Sequence, residues 1–359
     1  MRAAVLEAPG RLVVREIPEW PLEAYGDSDM VLVEVGACGL CGSDFRYFAG
    51  ENPWAQHTLG RHVPNPPNIV LGHEFAGTVV KVLSERNAHL LGKRVAPVCS
   101  KVCGACVECR AGRAHLCPQT VHLGHGQGWG NQAFFPGAYA PSVPCWGASC
   151  YEISDRLPMP EAAMMDILAV CVHVARVGHV RIGGTTLSIG AGPAGNGCAQ
   201  AALAMGAARA AVYERNAAAL EVARAQGLDA VDARGSGADA LRQGFPNGFD
   251  TVFDTVGTPE TLELGLSLLA KAGTLVNLAV HAGQTLNLDM MRLGSERRLT
   301  TSCNFETADY ATALAWLESG RFRVREWLTP VALDDLPGIF ESVARDPEGK
   351  AAFKWIVRP

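Results

Sequence analysis

Two patterns of hydrophobic and polar positions divide the chain, and the change falls near Leu157. Before this point, short apolar runs such as Val31–Val35 and Gly77–Val82 are separated by turn residues, as at Pro64–Pro67. Short apolar runs bounded by Gly and Pro predict β-strands joined by loops. We therefore expect residues 1–156 to form an irregular, β-rich domain.

From Leu157 onwards, Ala-rich helical stretches alternate with short apolar strands. These predicted strands are Thr186–Ile189, Ala210–Tyr213, Thr251–Asp254 and Thr274–Asn277. Alternating strands and helices are typical of βαβ units and a parallel sheet. We expect this second domain to occupy residues 157–301. A helix at Ala308–Glu318 and a strand at Ala352–Val357 would then return residues 302–359 to the first domain.

Length, composition and charge narrow the class of protein. A chain of 359 residues with 48% hydrophobic and 19% charged residues suits two ordinary globular domains. The formal net charge of −5, without a block of Lys or Arg, argues against nucleic acid or an anionic membrane as the main partner. Because the sequence shows neither a signal-like segment at Met1–Gly10 nor an apolar run of about 20 residues, we expect a soluble, cytoplasmic protein.

A glycine-rich turn follows the first strand of the second domain. Thr186–Ile189 leads into this turn and a helix-like stretch, Cys198–Met205, follows it. The turn consists of Gly190, Ala191, Gly192, Pro193, Ala194 and Gly195. Strand, G-x-G-x-x-G turn and helix in this order predict a dinucleotide site, with the diphosphate at the helix N-terminus.

Glu214 ends the next strand, close to where an acidic residue accepts hydrogen bonds from the adenosine ribose. A carboxylate there would repel the 2′-phosphate of NADP, so the sequence favours NAD. Arg215 favours NADP instead, because an arginine can neutralise that phosphate. Glu214 as a merely solvated strand end is the simpler alternative.

Four of the twelve cysteines lie close together in a short lobe at about residues 99–118; they are Cys103, Cys106, Cys109 and Cys117. Such spacing allows a loop to fold around a tetrahedral Zn²⁺, and a closed shell of four thiolates leaves no position for substrate. We therefore predict a structural zinc, with Cys99 outside the set. The alternative is a reduced, cysteine-rich loop without metal.

A second group of potential ligands is spread along the first domain. Cys41 is followed by Ser43 and Asp44, and His73 is followed by Glu74. A thiolate and an imidazole are typical ligands of a catalytic zinc, and neighbouring carboxylates can orient the imidazole. Taken singly, a buried cysteine or a core histidine explains each position equally well.

Four motifs together resemble the zinc-dependent medium-chain dehydrogenase/reductase (alcohol dehydrogenase) family and occur in the order found there. They are Gly39–Asp44, Gly72–Val79, the four-cysteine lobe and Gly190–Gly195. The branch that the chain is most similar to contains sorbitol, other polyol and threonine dehydrogenases. The resemblance implies an α/β fold, with a Rossmann doubly wound parallel sheet and a discontinuous GroES-like β-rich catalytic domain. It also implies an active site in the cleft between the domains, and a homodimer or homotetramer.

The resemblance further implies roles for individual residues. Cys41 and His73 would bind the catalytic zinc, and Asp166 stands where the family has its third ligand. The polyol branch has Glu followed by Pro there, so water or Glu74 could complete the coordination instead, and Asp166 could simply cap a helix. Ser43 would relay the substrate proton. Arg46 replaces the histidine that continues this relay in many relatives, and could instead hold a cofactor phosphate or an anionic substrate group.

Two further segments keep more than one interpretation. Gly50–Asn68 is a departure from the polyol branch that the chain resembles, as a longer segment, and it carries Trp54, His57, Arg61 and His62. We expect it to form either a specificity loop or a subunit contact. His122–Trp129, which contains His125, is equally open.

The predicted function is transfer of a hydride from a secondary alcohol (a polyol, sugar or cyclitol) to NAD, with one catalytic and one structural zinc. A threonine or amino-alcohol dehydrogenase is the alternative. A zinc-free reductase or a non-catalytic NAD- and zinc-binding protein is disfavoured, because all of the zinc and glycine motifs are present.

Overall fold

The computed structural model describes residues 1–279, 281, 284–346 and 352–359. The strands, in chain order, are β1 Arg2–Ala8, β2 Arg11–Glu16, β3 Met30–Gly39, β4 Ile69–Val70, β5 Glu74–Val82, β6 Arg94–Pro97, β7 Ser100–Lys101, β8 Val121–His122, β9 Ser142–Trp146, β10 Cys150–Glu152, β11 Thr185–Ile189, β12 Arg209–Glu214, β13 Asp229–Asp232, β14 Phe249–Asp254, β15 Leu269–Asn277, β16 Arg298–Thr301, β17 Leu328–Val331 and β18 Lys354–Val357. The α-helices are α1 Gly42–Phe48, α2 Pro53–Leu59, α3 Val107–Arg110, α4 Met159–Ala162, α5 Met165–Val177, α6 Pro193–Ala204, α7 Ala217–Ala225, α8 Gly237–Gly244, α9 Pro259–Leu268, α10 Thr307–Glu318 and α11 Leu336–Arg345.

The chain divides into two compact units. The first comprises Met1–Asp166 and Leu328–Pro359, and the second comprises Ile167–Trp327. The first unit therefore ends at the beginning of α5, later than residue 156. Helix α10 lies in the second unit, where its Asp309 bonds to His173 and Arg176 of α5. The chain consequently returns to the first unit at β17, not at residue 302.

The first unit is built from β-sheets. Strands β2, β1 and β4 form a three-stranded antiparallel sheet, and a larger sheet has the order β10-β6-β5-β3-β18-β17, with β9 also paired to β3. Strand β3 is central and mostly buried. In its antiparallel pairing with β5, Gly39 lies opposite Glu74. This register brings the residues just after β3 next to those at the start of β5, which places Cys41 beside His73.

The second unit is a Rossmann fold. Its six parallel strands have the order β13-β12-β11-β14-β15-β16, which is the 3-2-1-4-5-6 order of a doubly wound dinucleotide-binding sheet. The four strands predicted from hydrophobic runs are present. Two strands without such runs, β13 and β16, lie at the sheet edges, where half-exposed positions tolerate the polar residues of Asp229–Asp232 and Arg298–Thr301. In the described part of the chain, no helix is long and apolar enough to cross a membrane.

Candidate active site and metal centres

The first unit brings three potential metal ligands together. One ligand atom each from Cys41, His73 and Glu74 lies within 4.8 Å of the others. His73 and Glu74 are 4% and 1% exposed, whereas Cys41 is partly exposed. A thiolate, an imidazole and a carboxylate are the donor types of catalytic zinc sites, in which a fourth position stays open. The donor set therefore fits Zn²⁺.

The carboxylate of Asp44 lies beside the imidazole of His73. Its Oδ1 lies 3.4 Å from Nδ1 of His73, and its Oδ2 accepts hydrogen bonds from the Cys41 amide at 2.9 Å and the Tyr139 hydroxyl at 2.7 Å. Burial alone would raise the pKa of Asp44, but the His73 imidazole and these hydrogen bonds outweigh burial and lower it. Asp44 is thus a buried carboxylate beside His73, and its role in orienting the imidazole stays a prediction.

Glu74 forms a buried ion pair with Lys354 of β18. Lys354 is 4% exposed; burial alone would lower its pKa, but the attraction of Glu74 outweighs burial and raises it. The ammonium group contacts Oε2, and Oε1 has no hydrogen-bond partner among the described residues. An unpaired buried carboxylate oxygen of this kind is suited to bind a metal ion. The sequence pattern does not single out Lys354, although a lone lysine at the start of the otherwise apolar strand β18 is the signal that could have identified it.

Asp166 lies outside the group of Cys41, His73 and Glu74. Its Oδ1 accepts a hydrogen bond from Cys99 Sγ at 3.2 Å, and the same sulfur lies 3.6 Å from Nε2 of His122. Burial raises the pKa of both Asp166 and Cys99. Glu74 is therefore the carboxylate that the structure joins to Cys41 and His73, whereas Asp166 as third ligand stays a prediction.

The two predicted relay positions have different surroundings. The Oγ of Ser43 is buried without a hydrogen-bond partner in the described structure. Arg46 instead bonds to Glu51 through Nε and Nη2, at 2.9 and 2.6 Å, and also to Gln56. These contacts anchor helix α2, which forms within the long segment Gly50–Asn68. The guanidinium thus links Glu51 and Gln56 within this segment.

Stacked aromatic rings lie beside the ligand group. The ring of His125 stacks between those of His122 and Tyr47, with centroid distances of 4.1 and 4.4 Å, and its centroid is 4.5 Å from that of His73. Burial, followed by the neighbouring imidazoles, lowers the pKa of His122 to about 3 and that of His125 well below its ordinary value. Both imidazoles are accordingly neutral at physiological pH.

The four-cysteine lobe has the geometry of a zinc site. Sulfur atoms of Cys103 and Cys117 lie 3.5 Å apart, those of Cys106 and Cys117 3.9 Å, and those of Cys103 and Cys109 4.0 Å. Four sulfurs about 2.3 Å from one tetrahedral zinc would be separated by about 3.8 Å. Backbone amides of Ala105 and Cys106 donate to Cys103 Sγ and lower the pKa of this thiol to about 6. The lobe is therefore ready to hold a thiolate-bound metal.

In the second unit, the glycine turn joins β11 to α6 as predicted. A Cβ on Gly195 would lie 1.9 Å from the carbonyl oxygen of Gly190, so only glycine allows the helix to start this close to the strand. Helix α6 begins at Pro193 after Gly192, without a side-chain cap. Its first amides are therefore available to a diphosphate.

Glu214 lies at the end of β12, beside this turn. Its Oε2 accepts a hydrogen bond from the Ala191 amide at 2.9 Å, and its Oε1 accepts from the amides of Arg215 and Asn216 at 2.7 and 2.8 Å. The carboxylate is thus held in place by the backbone, while the neighbouring Arg215 is exposed. A role of Glu214 in binding the adenosine ribose stays a prediction.

Comparisons with known proteins agree with both units. The chain matches the models of the alcohol dehydrogenase GroES-like domain at residues 27–155 and of the zinc-binding dehydrogenase domain at residues 193–319. It is 29% identical over 322 residues to "Probable D-xylulose reductase A" of Neosartorya fischeri, covering 87% of this chain and 85% of the relative.

Solved structures agree over the full length. A zinc-binding dehydrogenase from Sinorhizobium meliloti 1021, bound to NADP, is 26% identical with a TM-score of 0.85, covering 100% of this chain and 99% of the other. An alcohol dehydrogenase from Thermus sp. ATN1 is 25% identical with a TM-score of 0.84 and the same coverage. With its GroES-like unit, Rossmann unit and zinc-binding groups, the chain belongs to the zinc-dependent medium-chain dehydrogenase/reductase family and is an alcohol/polyol oxidoreductase.

Proposed function

We propose that the protein oxidises a secondary alcohol of the polyol, sugar or cyclitol class and transfers the hydride to NAD. The observation that carries this proposal is the cluster of Cys41, His73 and Glu74, in which His73 and Glu74 are buried and Asp44 lies beside His73. A polyol is supported by the relative named as a xylulose reductase, since its reaction interconverts a ketose and a polyol.

Each residue of the group has a distinct task. Cys41 and His73 hold the zinc, and either Glu74 or Asp166 supplies the third ligand. When bound, the zinc acts as a Lewis acid that lowers the pKa of the substrate hydroxyl. The ammonium group of Lys354 compensates the negative charge of the buried Glu74 carboxylate. Cys103, Cys106, Cys109 and Cys117 hold a second, structural zinc.

Ser43, whose buried Oγ lacks a partner in the described residues, relays the proton of the substrate hydroxyl: Oγ accepts this proton and releases its own to water or to a ribose hydroxyl of the bound cofactor. Arg46 does not continue this relay, because a guanidinium cannot be deprotonated in a protein. We assign Arg46 to the anchoring of α2 through Glu51 and Gln56.

NAD is the proposed cofactor because Glu214 presents a fixed carboxylate beside the glycine turn. A carboxylate accepts hydrogen bonds from the ribose hydroxyls and repels a 2′-phosphate. NADP should be compared with NAD as the cofactor for two reasons. Arg215 adjoins Glu214, and the similar structure from Sinorhizobium has NADP bound.

The proposal extends to the assembly and the location of the protein. By resemblance to its family, the chain would form a homodimer or homotetramer. A cytoplasmic location agrees with the twelve cysteines, none of which forms a disulfide in the structure.

The test is formation of NADH, followed by absorbance, with a panel of polyols, sugars, cyclitols, threonine and simple secondary alcohols. The proposal predicts turnover of a polyol-like compound with NAD, slower turnover with NADP, and loss of both on treatment with a strong chelator. Turnover of threonine alone would move the assignment to the amino-alcohol alternative. If protein purified in zinc-containing buffer oxidises no alcohol of the panel, the proposal is wrong.

A further inference from the structure

His125 lies on a loop whose position is fixed by close packing. Gly124, which precedes it, has a φ of +73°, and a Cβ there would lie 2.6 Å from the carbonyl oxygen of Gly72. The amide of Gly124 donates to the carbonyl of Pro136 at 2.7 Å, and that of Leu123 donates to Cys99 at 2.8 Å. The loop is therefore held directly against the residue that precedes His73.

Both faces of the His125 ring are covered, but its polar edge is unused. The rings of His122 and Tyr47 lie on the two faces, with interplanar angles of 19° and 21°. The side chain is 5% exposed, and neither Nδ1 nor Nε2 has a hydrogen-bond partner in the residues that the structure describes. Burying a polar group without a partner is unfavourable, so this arrangement favours a ligand that pairs with the imidazole.

The His125 ring lies beside that of His73, a member of the metal-ligand group. One nitrogen of His125 lies within 4.8 Å of a nitrogen of His73 and of a carboxylate oxygen of Asp44. Neither nitrogen of His125 forms a hydrogen bond with these two residues, so its polar edge is available to a hydroxyl group of a ligand. A neutral imidazole offers one donor and one acceptor, which is also what a hydroxyl group needs.

We propose that His125 determines substrate specificity by hydrogen-bonding a second hydroxyl, on the carbon next to the one that is oxidised. This inference rests on the proposed function, because it places the reacting hydroxyl at Cys41, His73 and Glu74. A vicinal diol satisfies the buried edge of His125, whereas a mono-alcohol leaves it unpaired. Sites built to hydrogen-bond a substrate group discriminate against analogues that lack the group.

The experiment compares the polyol that reacts fastest in the panel with its deoxy analogue, in which hydrogen replaces the neighbouring hydroxyl. The H125F variant keeps an aromatic ring between His122 and Tyr47 and removes both nitrogens. We expect the ratio of kcat/KM for polyol to that for the deoxy analogue to fall roughly tenfold or more. The Kd of the polyol, measured by calorimetry with NADH bound, should rise in parallel.

Two further variants keep the result interpretable. H125Q, which retains polar atoms, should give an intermediate ratio even if H125F folds poorly. H89L replaces an exposed histidine of the same unit and should leave the ratio at the wild-type value.

Three results would overturn the inference while leaving the proposed function standing: an unchanged ratio in H125F, an equal loss for both substrates, or loss of bound zinc, which would make His125 a metal ligand. If the wild-type enzyme oxidises no alcohol of the panel, the proposed function itself fails.

Discussion

Nδ1 of His73 lies 3.4 Å from Oδ1 of Asp44, and both side chains are buried. Because Nδ1 faces this carboxylate, Nε2 is the nitrogen left to coordinate a metal. Removing the charge should weaken zinc binding about 10–100-fold, as for other carboxylates that orient a ligating histidine. We therefore expect D44N to release zinc to a competing fluorescent chelator at lower chelator concentration, and to lose kcat/KM.

The matched control is D155N, because the side chain of Asp155 is 97% exposed. It should keep the wild-type zinc affinity. Wild-type affinity in D44N itself would show that the contact with His73 has no part in holding the metal.

The four-cysteine lobe predicts a change in zinc content. C106S removes one of four thiolates, so the variant should hold one zinc per chain where the wild type holds two, and its first unit should unfold at lower temperature. Element analysis and thermal unfolding measure the two effects. C303S changes a cysteine of the second unit and should retain both ions; retention of both ions by C106S with unchanged melting would argue against a structural zinc.

We expect Glu214 to determine the preference for NAD over NADP. Its loss removes charge-assisted hydrogen bonds to the ribose, which are worth about 1.5–3 kcal/mol, so E214Q should raise the Kd of NAD roughly tenfold or more. The Kd of NADP should change less, and the preference for NAD should narrow. Calorimetry gives both constants. E221Q, an exposed glutamate of α7, is the control; identical preference in E214Q and wild type would exclude this role.

Asp309 predicts a pH-dependent stability of the second unit. Burial alone would raise its pKa, but hydrogen bonds from His173 and Arg176 outweigh burial and lower it below the ordinary value. The carboxylate thus stabilises the folded state fully above the unfolded pKa of about 3.9, and this contribution is lost as the pH falls through the lower folded pKa.

We expect D309N to lower the free energy of unfolding by about 2 kcal/mol at pH 7, the value of hydrogen bonds to a charged group. The difference from wild type should persist at pH 5 and shrink below about pH 4, as measured by urea unfolding. D239N breaks an exposed pair with Arg242 and should cost less than about 0.5 kcal/mol. An equal effect of the two substitutions would contradict the account of Asp309.

The sequence predicts those features that depend on local order along the chain. The strand and the helix that flank the glycine turn and the spacing of the four clustered cysteines are local, and the structure contains them as expected. Strands β13 and β16 escape prediction because edge positions do not require apolar residues.

The contacts that complete the active site are not local, and the sequence does not predict them. Lys354 reaches Glu74 from the far end of the chain, through the pairing of β18 with β3. Asp166 faces Cys99, a pairing that spacing does not suggest, and His125 joins His73 only because the loop containing Gly124 packs on Gly72. In each case tertiary packing decides which of several plausible side chains reach one another.

The central claim, an alcohol oxidation that depends on zinc at Cys41 and His73, is tested most directly by titrating zinc back into metal-depleted enzyme. Polyol-dependent formation of NADH is measured at each zinc content, with C41S as the comparison. The account predicts that activity is absent without metal, returns as the second of two zinc ions is restored, and does not return in C41S. Full activity in metal-free enzyme, or full recovery in C41S, would contradict it.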